Sequence, residues 1–105
     1  MGLRISETEE NGNKLLKVIG EVDLYSSPDL RQRITKAMPK NGGMLGVNLS
    51  EVPYMDSSGV ATLVEGLRAA SDKKAQFVLL APSQSVMKVL QLSRLDTVFE
   101  IRDTL

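Results

Sequence analysis

Leu3 and Ile5 alternate with polar neighbours, the period-two pattern of a half-buried strand. Glu10-Asn11-Gly12-Asn13 is a turn signal. The more apolar run Leu15-Leu16-Lys17-Val18-Ile19 completes an expected antiparallel hairpin whose first strand is the sheet edge. The period then lengthens. Leu30, Ile34, Ala37 and Met38 recur at helical spacing after Ser27-Pro28-Asp29, which reads as an N-cap, a first helical proline and a favourable first-turn charge. Pro39 and Asn41-Gly42-Gly43 stop that helix.

Leu45, Val47 and Leu49 alternate again as a third strand, weakened by Gly46 and Asn48. Val60, Leu63, Val64, Leu67 and Ala70 form the apolar face of a second helix, with Glu65 and Arg68 on the other side. Ala75 to Leu80 is apolar enough for a central strand. Ser83 caps a third helix whose expected core residues are Val86, Val89, Leu90 and Leu92, and Thr97 to Ile101 reads as a fifth strand. The order β-β-α-β-α-β-α-β argues an α/β fold: a mostly parallel, twisted sheet of about five strands with an antiparallel N-terminal edge hairpin and three to four helices. The links are short, so residues 1–105 are expected to be a single domain.

Composition narrows the chemistry. Forty-two per cent hydrophobic residues with few aromatics imply one modest, aliphatic and Met-filled core, to which Met55 and Met87 are expected to belong. Thirteen basic and thirteen acidic residues cancel, and no basic cluster suggests nucleic acid or a membrane surface. The chain has no Cys and no His, which removes thiol catalysis, disulfides, nearly all zinc sites and any Ser-His-Asp triad. Gly42-Gly43-Met44-Leu45-Gly46 lacks the Lys and Ser/Thr of a phosphate loop. These absences argue against an enzyme, and neither a cofactor nor a metal is expected. With no signal peptide or apolar span in the sequence, a cytoplasmic protein is the expectation.

The segment Tyr54-Met55-Asp56-Ser57-Ser58-Gly59 joins the third strand to the second helix. Asp56, Ser57 and Ser58 can each cap a helix, and that helix end presents free N–H groups and the positive end of a dipole. Local sequence supports two readings: Asp56 or Ser57 is an N-cap and nothing more, or a hydroxyl here accepts a phosphate from a kinase. Asp23 likewise reads equally as a turn or cap residue and as part of a functional loop.

Three pieces together resemble the STAS domain, specifically the bacterial anti-sigma factor antagonists. They are Gly20-Glu21-Val22-Asp23, Tyr25-Ser26-Ser27-Pro28-Asp29-Leu30-Arg31, and Val52-Pro53-Tyr54-Met55-Asp56-Ser57-Ser58-Gly59. The similarity covers nearly the whole chain. Two positions depart from the family pattern: Ala61 stands where a glycine is common, and Arg94 where a glycine often precedes the last strand.

The resemblance implies partner switching. The unmodified protein would bind an anti-sigma factor that is also a serine kinase of the GHKL type, be released on phosphorylation of Ser57, and be restored by a PPM-type serine phosphatase. Carried onto this sequence, the phosphoacceptor is Ser57. Asp23, Tyr25 and Ser26 of one loop and Asp56, Ser57, Ser58 and Gly59 of the other form the expected partner surface, with Ser58 structural. A monomer is expected, and the charge balance gives no sign of nucleic-acid or membrane partners. The rival to partner switching within the same family is an accessory subunit of a lipid-transport ABC system or a signalling scaffold, with no phosphate cycle.

Overall fold

The computed structural model describes residues 2–104. Strands β1 (Arg4–Glu10) and β2 (Asn13–Ile19) are followed by helix α1 (Ser27–Ala37), β3 (Met44–Glu51), α2 (Ser57–Asp72), β4 (Gln76–Leu80), α3 (Gln84–Leu92) and β5 (Glu100–Arg102). The sheet order is β1-β2-β3-β4-β5. β1 pairs antiparallel with β2, and every later pairing is parallel. The hairpin closes at Glu10↔Asn13 through Asn11 and Gly12, both at positive φ (55° and 81°), the two-residue turn that matches strand twist.

Alternation along the strands decides which face the helices cover. Leu16 and Val18, Leu45, Val47 and Leu49, and Phe77 and Leu79 belong to one buried cluster with Leu30 and Ile34 of α1, Val60 and Leu63 of α2, and Val86 and Leu90 of α3. Met44, Val78 and Leu80 point the other way and form a small separate cluster with Leu15 against it. Consecutive parallel strands joined by right-handed crossovers put every helix on the same side. The C-terminal ends of β2 and β3 therefore lie side by side, and the loops leaving them are neighbours. Glu65 pairs across helices with Arg31 at 2.8 Å, an exposed contact that adds little stability.

Three helices are present among the described residues, within the expected three to four. Three expectations need correction. Ser27 is not the cap of α1: the cap position is Ser26, Ser27 is already helical, and no side chain caps this end. The Ser26 hydroxyl is turned back into the preceding loop, where it donates to the Glu21 carbonyl at 2.9 Å. β5 is only three residues, because Val98 and Phe99 N–H groups bond back to the Leu95 carbonyl and Phe99 drops into the core against Phe77. Leu92 is 75% exposed and not core, since it sits about 200° around the helix from Leu90. Ser83 does cap α3, its hydroxyl accepting the Val86 N–H at 3.2 Å.

Candidate functional site

After β3 the chain runs through Val52-Pro53-Tyr54 and makes one parallel bridge, Met55 to Val22 of the loop leaving β2. Val22 N–H donates to the Tyr54 carbonyl at 2.9 Å, and Asp56 N–H donates to the Val22 carbonyl at 3.1 Å. Both bridge side chains are buried. The two loops that carry the sequence-derived site residues are thus one hydrogen-bonded unit, and the acidic positions Asp23 and Asp56 are brought to the same end of the sheet.

Asp56 is the N-cap of α2. Its Oδ1 accepts the Ser58 N–H at 2.9 Å and the Ser58 hydroxyl at 2.5 Å. The Ser58 hydroxyl bond, together with the N–H groups of Ser58, Gly59 and Leu24 that face the carboxylate, holds the Asp56 pKa below its ordinary value despite some desolvation. Asp56 is therefore anionic at neutral pH, and its charge is complemented by the helix end.

Ser57, the first residue of α2, is exposed, and among the described residues its hydroxyl has no hydrogen-bond partner. Ser58 is half-buried and its one hydroxyl proton is committed to Asp56. The neighbouring serines thus differ: one hydroxyl is free in water, the other is part of the cap.

Gly59 is buried and does not reach the surface assigned to it from sequence. A Cβ there would lie 2.6 Å from Met55 Cγ and 2.8 Å from Val22 Cγ1. Only glycine lets the first turn of α2 sit on the bridge. Ser26 is also buried, its hydroxyl spent inside the loop. Asp23 Oδ1 accepts the N–H groups of Tyr25 and Ser26 at 2.9 Å and 3.0 Å, so Asp23 shapes the loop as well as charging it. Tyr25 is 89% exposed.

Leu24 and Tyr54 lie inside the loop Asp23 to Ser27 and the segment Tyr54 to Gly59 that the sequence marks, and both are large and exposed there. A bulky residue amid turn-forming neighbours is the signal that singles out Leu24. Sequence reasoning missed one contributor, Ser83: its hydroxyl donates to the Val52 carbonyl at 2.6 Å and its N–H donates to the Leu49 carbonyl at 3.2 Å, tying α3 to the segment that leads to Ser57. No helix among the described residues is long and apolar enough to cross a membrane.

Residues 4–105 match the family model described as the STAS domain. The anti-sigma-B factor antagonist of Listeria monocytogenes is 28% identical over 86 residues, covering 82% of this chain and 75% of that protein. The crystal structure of an anti-sigma factor antagonist from Mycobacterium paratuberculosis has a TM-score of 0.85 at 24% identity, covering 98% of this chain and 87% of that one. The Bacillus cell fate determinant SpoIIAA in its phosphorylated form has a TM-score of 0.69 at 22% identity, covering 94% and 89%.

Proposed function

This chain belongs to the STAS domain family, and from that premise we propose that it is an anti-sigma factor antagonist working by partner switching. Unphosphorylated, it binds an anti-sigma factor that is also a GHKL-type serine kinase and so frees a sigma factor. The kinase phosphorylates Ser57 and the complex separates. A PPM-type phosphatase removes the phosphate. On this reading the protein works in the cytoplasm as a single-domain monomer and carries out no reaction of its own.

The observation that carries the reading is the contrast between Ser57, exposed with an unengaged hydroxyl, and Ser58, whose hydroxyl is held by Asp56. A kinase needs a hydroxyl it can surround, on a base rigid enough to present it. Ser57 has both, because the bridge and the cap fix the turn beneath it. Phosphorylation adds roughly −1.5 to −2 charges beside a carboxylate already held ionised. The N-terminus of α2 tolerates that charge, but a docked partner surface does not. About 2.7 kcal/mol of lost binding weakens a complex a hundredfold. No refolding is needed, and the likeness of the fold to phosphorylated SpoIIAA is consistent with that.

Incubation with the purified anti-sigma factor kinase of the source organism and ATP, followed by peptide mass spectrometry, tests the reading. The expected product carries one phosphate on Ser57 and is released from the kinase. Label that persists in Ser57→Ala, or release without modification, overturns it.

A further inference from the structure

Leu24 (68% exposed), Tyr25 (89%) and Tyr54 (48%) stand out into water from the two bridged loops. Leu24 and Tyr25 are the centre of a four-residue turn, closed by the Ser26 N–H on the Asp23 carbonyl at 3.2 Å. Glycine and small polar residues dominate such positions, because a turn tip has nothing to bury a side chain against. The fold gains nothing from a leucine and a tyrosine there. A residue pair that breaks a local rule without serving the fold points to binding.

The tip is also stiff. Asp23 Oδ1 holds the N–H groups of Tyr25 and Ser26, and the Ser26 hydroxyl donates to the Glu21 carbonyl. A rigidly held tyrosine makes a good anchor, and a held leucine beside it adds apolar area, since little conformational freedom is left to lose on docking.

The position of Ser57 identifies the occupant. Neighbouring strands lie about 4.8 Å apart, and a stable complex covers roughly 800 Å² on each partner. A footprint of that size centred on Ser57 takes in both bridged loops. Glu21 and Asp23 line one cleft with Arg4, Glu65 and Arg68 line the groove that holds Ser57, and Asp56 adds a carboxylate at the cap, so carboxylates outnumber cations on this face by four to two.

We propose, resting on the reading that this face docks an anti-sigma factor, that Leu24 and Tyr25, with Tyr54 on the adjoining loop, are its affinity anchors. They enter an apolar pocket with a cationic rim on that partner, while Ser57 supplies the switch. Affinity and switching then reside in different side chains of one rigid unit. The turn residues set which partner is held, and the serine sets when it is held.

The test uses the full chain and the purified anti-sigma factor kinase. Leu24→Ser/Tyr25→Ser should weaken binding at least about thirtyfold, the loss typical of removing a hot spot, and Tyr54→Ser should weaken it less. Leu92→Ser, equally exposed at the end of α3, should stay within about twofold. Urea midpoints of all variants should match the parent. In the phosphorylation assay the double variant should show a raised KM with kcat unchanged. If the double variant binds within about threefold of the parent and keeps its KM, the anchor assignment is overturned while Ser57 switching stands. If the parent itself is neither bound nor phosphorylated, both fall.

Discussion

The Asp56 carboxylate takes the backbone N–H and the hydroxyl of Ser58 on a single oxygen, at 2.9 Å and 2.5 Å. One residue thereby starts α2, keeps Ser58 from being a free acceptor and leaves Ser57 as the hydroxyl that faces water. Because folding lowers the Asp56 pKa, the unfolded chain is the first to take up a proton as pH falls. The stability that Asp56 contributes is therefore complete above the ordinary aspartate pKa of the unfolded chain and is lost as pH falls through the lower folded value. Asp56→Ala should cost about 1 kcal/mol at neutral pH, the usual loss of a cap. The gap in thermal midpoint between parent and variant should hold from pH 7 down to about pH 4 and narrow only below it. A gap that stays constant would mean the carboxylate's charge contributes nothing.

Ser57 and Ser58 should separate cleanly when replaced one at a time. Ser57→Ala removes an unengaged hydroxyl, so the fold keeps its stability and the partner still binds, but phosphorylation stops. Ser57→Asp should weaken binding by less than phosphate does, since it adds one charge where phosphate adds roughly two. Ser58→Ala loses its bond to Asp56 and should cost about 1 kcal/mol, as a hydrogen bond to a charged group typically does, while Ser57 remains the acceptor. Urea melts and titration against the kinase check all three, and a stable, unphosphorylatable Ser58→Ala would reverse the assignment.

Gly59 tests the packing under the site. Alanine is better by about 1 kcal/mol in a helix interior, so propensity alone favours Gly59→Ala. The added methyl would meet Met55 Cγ and Val22 Cγ1 at 2.6 Å and 2.8 Å. Val22 is a stiff β-branched residue, 0% exposed, and Met55 is 2% exposed, so neither can move away without disturbing the bridge. Overpacking of this kind costs about 1–3 kcal/mol and should win. A lowered urea midpoint together with weaker kinase binding is expected, because the same bridge carries both loops. A stabilised Gly59→Ala would show that the bridge is soft.

Much of the fold is legible in the pattern of apolar positions, and the failures have local causes. Leu45, Val47 and Leu49 declare a strand and its buried face, and Asn11-Gly12 declares a hairpin turn, because each depends on near neighbours alone. Ser26 and Ser27 could not be told apart as the cap of α1. The hydroxyl that decides it is engaged by Glu21 and Asp23, whose position relative to the helix is a tertiary fact. Phe99 reads as a strand residue, yet its place is set by Phe77 across the core. At the site, the Asp56-Ser57-Ser58 motif marks the helix start without help. The adjacency of Asp23 to that motif needs the sheet order, which puts β2 beside β3. Burial of Gly59 follows from the bridge, which no local pattern announces.

Ser83 joins α3 to the strand-to-helix segment, and that contact should be felt at a distance. Its hydroxyl donates to the Val52 carbonyl at 2.6 Å and accepts the Val86 N–H at 3.2 Å. Ser83→Ala therefore removes a helix cap and leaves a carbonyl beside a fully buried Val52 without its donor. Losing the cap costs about 1 kcal/mol, and the unsatisfied carbonyl adds about 1–3 kcal/mol where water cannot replace the hydroxyl. Ser83→Thr keeps both bonds and should recover most of the loss. Val52 lies four residues before Asp56, so amide exchange in the segment 52–56 should quicken in Ser83→Ala while exchange in β1 stays as in the parent. Uniform quickening across the sheet would mean that Ser83 serves global stability alone and has no particular hold on the turn that carries Ser57.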